Sequence, residues 1–227
     1  MSFTFQVASY NTFIIYFGHA IDPMVSKEVQ KAYRALKNAM LQGVLEIIPS
    51  YASLMVSYDV LKHEYEPLRV RVESIILNSK PIDEKEKKII TIPTYYHSEV
   101  GLDLEAVAHE KNVSIEEIIA LHVKQKYNVY AVGFAPGFAY LGELDEALAS
   151  PRLANPRKAI PKGSVSIADR QTAVYPTQSP GGWKILGRTP IAMFDTAYEG
   201  LSLLHVGDLV QFEAISKAEF LKLGGVL

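Results

Sequence analysis

The chain has 227 residues, beyond the ~100–150 of a typical single domain, and 48% of them are hydrophobic, enough for one large core or two small ones. Its 23 Lys+Arg against 25 Asp+Glu leave a net charge of -2, without the basic excess of nucleic-acid binders, so no nucleic-acid partner is expected. The absence of cysteine excludes disulfides, thiol catalysis and cysteine metal sites. No basic-then-apolar leader opens the chain and no run approaches ~20 apolar residues, so a cytoplasmic protein with no membrane segment is expected.

Phe13 to Phe17 ("FIIYF") is a β-rich run. The segment after it, "IDPMVSKEVQKAYRALKNAMLQG", reads as a helix. Asp22 can cap it, Pro23 suits its first position and Gly43 can end it. Val25, Val29, Ala32, Tyr33, Leu36 and Met40 recur at three- and four-residue steps and form one apolar stripe. "VLEIIP" (44–49) and "SLMVSYD" (53–59) read as a hairpin, and Leu68, Val72, Ile75 and Ile76 suit a second helix. The order strand, helix, strand, strand, helix is most of a ferredoxin-like α+β unit. The charged "SKPIDEKEKK" then predicts a boundary, giving domains at 1–85 and 86–227.

A strand, "IITIPTYY", opens the second part. "LDLEAVAHEKN" and "SIEEIIALHVKQKY" read as short helices, the latter with a capping box at Ser114 and Glu117. Beyond Tyr127 the helical period gives way to short β-rich pieces separated by Gly, Pro and Asp, which predicts a barrel or sandwich.

In "GFAPGFAYLG", Phe134, Pro136, Gly137 and Tyr140 form either an aromatic β-turn that plugs a barrel end or the wall of a flat pocket. Arg157, after Pro156, can offer a bidentate donor to a carboxylate or phosphate, or can sit in a structural ion pair. Gln171 places an uncharged amide in a β-rich run, where neighbours or a ligand must satisfy it. In "YPTQSPGGWKILGRTP", Ser179, Gly181 and Gly182 can expose backbone N–H groups, with Tyr175 ahead of them, Trp183 as one wall and Arg188 opposite; a tight hairpin turn explains the pattern equally well. The segment is no Walker loop, because no Gly-Lys-Ser/Thr follows. His122 falls on the apolar side of its helix, as a buried core residue or a general base. The six histidines show no metal spacing, so no metal is expected.

Together, "GFAPGFAYLGEL", "PR" at 156–157, "IPKGSVSIADRQTAVYPTQSPGGWKILGRTP" and "HVGDLVQF" resemble the B-subunit family of 5-oxoprolinase, also called the Kip-inhibitor (KipI) or allophanate hydrolase subunit 1 family. The resemblance runs through almost the whole chain. It implies a small α+β domain followed by a cyclophilin-like β-barrel. It also implies action with two partners, a larger C subunit (KipA-like) and an A subunit, as a complex that uses ATP to open 5-oxo-L-proline, a small cyclic amide, to L-glutamate. The isolated chain is then expected to be inactive. Phe134, Pro136, Gly137 and Tyr140 would shape a pocket rim, and Arg157, Gln171, Tyr175 and Ser179 to Trp183 would supply contacts. Arg188 would stabilise developing phosphoryl charge.

The chain departs from the family's usual pattern at Ser9, Tyr10, Ala139, Glu143, Ser166, Asp169 and Ala173. Ser166 and Ala173, where glycine is usual, would narrow any ligand space. A second reading takes the chain as a regulator that inhibits a sensor histidine kinase by protein binding, as the KipI name records. A third, a prolyl isomerase, lacks a recognisable catalytic motif.

Overall fold

A computed structural model describes residues 2–80, 89–198 and 200–227. The chain divides into two compact units, residues 1–87 and 88–227. The boundary expected at 85/86, inside the charged stretch, lies outside the described residues.

The first unit begins with a hairpin of β1 (Thr4–Ser9) and β2 (Thr12–Tyr16); β3 (Val44–Ser50) and β4 (Ser53–Tyr58) form a second hairpin. β2 pairs with β4, so the antiparallel sheet has the order β1-β2-β4-β3. Strands β2 and β4 alternate buried and half-buried residues, which turns Phe13, Ile15, Leu54 and Val56 to one face. Helices α1 (Pro23–Ala39) and α2 (Tyr65–Leu77) cover that face with Ala32, Leu36, Leu68, Val72 and Ile76. Each fully buried Leu, Ile or Phe there contributes about 1.5–3 kcal/mol.

The start of α1 follows from the sequence. Asp22 Oδ1 accepts the N–H groups of Met24 and Val25 at 2.7 and 3.2 Å, and Pro23 occupies the first turn, where no donor is needed. Its end differs from expectation. The helix stops at Met40, which is left-handed and 85% exposed, rather than at Gly43. Gly43, at φ +87, is instead the turn into β3, where a Cβ would meet the His63 ring at 2.8 Å. Met40 therefore leaves the apolar stripe.

The second unit is built on β5 (Ile89–Thr94), β6 (Tyr127–Val132), β7 (Ala139–Gly142), β9 (Ser164–Ala168), β10 (Gln171–Val174), β12 (Lys184–Arg188) and β13 (Leu209–Ala214). Their order is β12-β9-β10-β7-β6-β13-β5, antiparallel except for β13 with β5. A bridge joins the two edges: Tyr95 and Arg188 exchange backbone hydrogen bonds of 2.8 and 2.9 Å. The sheet is thus a nearly closed barrel, which removes the edge-pairing problem of an open sheet. Ile92, Tyr127, Val129, Leu141, Val165, Ile167, Leu186, Val210 and Phe212 fill its interior. Helix α3 (Leu104–Lys111) packs on β12, while α4 (Ile115–Lys124) packs on β13 and turns Ile118 and His122 into that interior. Ser114 caps α4 by accepting the Glu117 N–H.

A two-stranded ribbon, β8 (Arg157–Ile160) with β11 (Ser179–Gly181), lies on the opposite face of the barrel strands, over Ala168, Ala173, Tyr175 and Ile185. Helix α5 (Lys217–Lys222) follows β13 and buries Phe220. Among the described residues no helix is long and apolar enough to cross a membrane.

Candidate functional site

The structure distributes the candidate residues over three places in the second unit. The first is the barrel interior. His122 is fully buried; its Nδ1 lies 2.7 Å from the Tyr96 hydroxyl and its Nε2 2.9 Å from Thr172 Oγ1. Thr172 donates its own proton to Ser166 O at 2.9 Å, so it accepts from His122. That fixes the tautomer with the proton on Nε2, and Nδ1 accepts from Tyr96. Burial drives the imidazole down to about 3 and holds it neutral. A general base must reach a substrate proton, whereas both nitrogens here are committed to the core. The geometry places His122 as a core residue. Its partners, Tyr96 and Thr172, carry no local signal in the sequence.

The second place is an aromatic cluster beneath the ribbon. Its hub is Phe138, which is absent from the sequence-derived candidates, with ring contacts to Phe134, Tyr140, Tyr175 and Trp183 at 5.2, 5.0, 5.4 and 5.8 Å. Such edge-to-face pairs add ~0.5–1.5 kcal/mol each beyond burial. Phe138 stands two residues before Tyr140, on the same side of β7, and that period of two was the available signal. Phe134, at φ +76, is 66% exposed and Pro136 is exposed, while Gly137, at φ +82, is buried, and a Cβ there would strike Met193 O at 2.7 Å. Tyr175 is buried; desolvation pushes its hydroxyl up, against a lowering hydrogen bond from the Trp183 backbone.

Two expectations about this cluster are corrected. Ser179 to Gly181 is not an open concavity: it is β11, paired with β8 at Ser179–Ile160 and Gly181–Arg157. Gly182 follows, and its carbonyl accepts from Leu153 N–H at 2.7 Å. Nor do Trp183 and Arg188 face each other across a turn. They flank and end β12, five residues apart, roughly 16 Å at ~3.3 Å per residue.

Arg157 is also committed. Its two terminal nitrogens bond both oxygens of Asp103 at 2.8 and 2.7 Å, and Asp103 further accepts the Ile185 N–H at 2.7 Å. Of the two alternatives for this arginine, the structure holds the ion pair. Gln171 opens β10, half-buried, opposite Gly142 and Ala168.

The third place is a cavity of 480 Å³ lined by Pro161 to Gly163, Arg188 to Ile191 and residues 224–227. Arg188 is 9% exposed, and its Nη1 donates to Val226 O at 2.9 Å. Burial lowers its pKa. Lys162, exposed, adds a second positive charge to the lining. Among the described residues no group of three His, Asp or Glu side chains is placed to hold a metal ion.

Known proteins share this architecture. A family profile described as "Carboxyltransferase domain, subdomain C and D" matches residues 3–204. The 5-oxoprolinase B subunit of Bacillus subtilis is 39% identical over 217 residues, which cover 91% of this chain and 90% of the relative. The solved structure of TTHA0988 matches with a TM-score of 0.80 at 33% identity, over 91% of this chain but only 40% of that longer one. The urea carboxylase of Kluyveromyces lactis, at 16% identity and a TM-score of 0.73, covers 97% of this chain and 22% of its own, and shows the fold alone. By the span of the profile and the identity to the Bacillus protein, the chain belongs to the 5-oxoprolinase B-subunit family.

Proposed function

We propose that the chain is the B subunit of a cytoplasmic, ATP-dependent 5-oxoprolinase that opens 5-oxo-L-proline to L-glutamate together with its C and A partner subunits. The observation that carries this reading is the identity of 39% over 91% of the chain to a protein named for that subunit. A second supports the need for partners. The matching profile describes two subdomains of a carboxyltransferase domain, and TTHA0988 continues for more than half its length beyond the matched region. The finer fold labels belong with this reading. The first unit is ferredoxin-like in its β2-α1-β3-β4-α2 order, with β1 as an added hairpin strand, and the second is a cyclophilin-like barrel.

The nucleotide is assigned to the assembled complex. Of the Ser-Pro-Gly-Gly segment that could have met an anion, Gly181 is paired within the ribbon and the Gly182 carbonyl accepts from the Leu153 N–H. No step of phosphoryl transfer is therefore routed through residues of this chain. What the chain offers is positioning: the exposed Phe134 and Pro136, with Tyr140 behind them, as an apolar rim, and the Arg188 cavity as a cationic one.

The test is release of ADP and glutamate from the chain purified with its C and A partners, with and without 5-oxo-L-proline. Lactam-dependent release of both products is expected. A well-folded complex that releases neither overturns the reading.

A further inference from the structure

We infer that Arg188 anchors a binding site for a small organic carboxylate, and that residues 224–227 lie across this site in the present conformation. The inference deepens the 5-oxoprolinase reading and rests on it for the natural ligand, a lactam that bears one carboxylate. The anion site itself rests on geometry.

A guanidinium taken out of water is costly unless a countercharge and hydrogen bonds compensate it. Arg188 is 9% exposed, yet no carboxylate pairs with it among the described residues. One of its nitrogens is bonded, to the neutral Val226 carbonyl, and its Nε is buried with no partner. Directly across the ladder from Arg188 stands Ser164, fully buried, whose Oγ also lacks a partner. Paired residues share a face of the sheet, so two unsatisfied polar groups sit side by side next to the cavity. A fold that leaves both unmet either loses stability or supplies them from outside.

The lining selects the ligand class. Arg188 and Lys162 are its charged side chains, no Asp or Glu lines it, and the remainder includes Pro161, Pro190, Ile191, Val226 and Leu227. A polyphosphate would want several cations, whereas this lining suits one planar anion on a compact apolar body. The fork of Nε and a terminal nitrogen matches the two oxygens of a carboxylate. The 480 Å³ volume lies within the ~300–1,000 Å³ of small-molecule sites. The Val226 carbonyl accepts from Nη1, the nitrogen outside that fork, which leaves the edge of Nε and Nη2 for the carboxylate.

Calorimetric titration of the full chain with cyclopentanecarboxylate, 5-oxo-L-proline, 2-pyrrolidinone and inorganic phosphate tests the site. Both carboxylates are expected to bind, about tenfold or more weaker in Arg188→Gln, and a few-fold weaker in the rim variant Lys162→Gln. The uncharged 2-pyrrolidinone is expected not to bind. Because removing an unpaired buried charge relieves a cost, ligand-free Arg188→Gln should melt no lower than the parent. Should it fail to fold, Arg188→Lys, which keeps the charge and loses the fork, takes its place with the same expected loss. No carboxylate binding up to ~10 mM, equal binding by the Arg188 variant, equal binding of 2-pyrrolidinone, or tighter binding of phosphate each overturns the inference. The two readings fail separately. A complex that hydrolyses 5-oxo-L-proline with unchanged KM in Arg188→Gln keeps the 5-oxoprolinase reading and sinks this site. Arg188-dependent carboxylate binding in a complex without lactam turnover does the reverse.

Discussion

Asp103 occupies the N-cap position of α3, yet its side chain caps nothing, because both of its oxygens are held by Arg157 and one also by the Ile185 N–H. One carboxylate thereby ties ribbon strand β8 and barrel strand β12 to the start of α3. Removing Arg157 leaves a nearly buried carboxylate with a single neutral donor. Breaking a buried pair costs about 3–5 kcal/mol, and the 28% exposure of the arginine side chain argues for the lower end. Arg157→Gln should therefore lose about 3 kcal/mol in urea unfolding. If it instead loses turnover with its stability intact, Arg157 belongs to the reaction and the pair is incidental.

The two glycines of "SPGG" should respond oppositely to alanine. A Cβ on Gly181 would lie 2.2 Å from the Tyr175 hydroxyl oxygen, and Tyr175 is 1% exposed with nowhere to go. A Cβ on Gly182 would meet nothing closer than 3.6 Å. Gly181→Ala is expected to cost about 2 kcal/mol or more, by overpacking. Gly182→Ala should stay within about 0.5 kcal/mol. Thermal melts of the two single variants decide it, and equal effects would mean that the ribbon is not seated on Tyr175.

The His122 geometry carries a pH dependence whose sign is fixed. Its folded pKa, about 3, lies below the ordinary value of 6.5, so between these limits the unfolded chain binds a proton that the native barrel refuses. Stability contributed by the neutral ring is complete above about pH 6.5 and is lost as pH falls toward 3. From this group alone the protein should be about 2 kcal/mol less stable at about pH 5 than at about pH 7.5. His122→Gln should remove that dependence at a cost of about 2 kcal/mol at neutral pH, since Tyr96 and Thr172 lose their shared partner. Unfolding curves of parent and variant should therefore converge near about pH 5. A gap that stays constant with pH would show that the native barrel leaves the His122 pKa at its unfolded value.

What could be read from the chain was local chemistry. Asp22-Pro23 announced α1, Ser114 announced α4, and β-rich runs between turn residues marked β2, β4 and barrel strands such as β5 and β13, because caps and strand composition are written within a few residues. Strand β1 escaped because five of its six residues are exposed and it shows no apolar face. Individual site residues were legible as chemical types, but their grouping depends on long-range pairing. Arg157 meets Asp103 across 54 positions, His122 meets Thr172 across 50, and Arg188 meets Val226 across 38. No spacing rule links such pairs, so the committed arginine and the unpaired one look alike in sequence.

Ser166 and Ala173, two of the positions expected to narrow a ligand space, show what the ribbon covers. Both are fully buried; the Ser166 hydroxyl donates to Ala173 O at 3.1 Å, and the Ala173 methyl packs with Phe138, Tyr175 and Trp183. The space that glycines would leave there is filled by protein, as the Arg188 proposal requires if the cluster beneath the ribbon serves packing. Ala173→Gly deletes a buried methyl and adds backbone freedom to a strand, each about 0.5–1 kcal/mol, so a loss near about 1.5 kcal/mol is expected. In the assembled complex the same variant should leave the KM for 5-oxo-L-proline unchanged, because its effect lies under the ribbon and not at Arg188. A KM that moves several-fold while stability holds would place the substrate beneath the ribbon after all, and would return Tyr175 and Trp183 to the binding site.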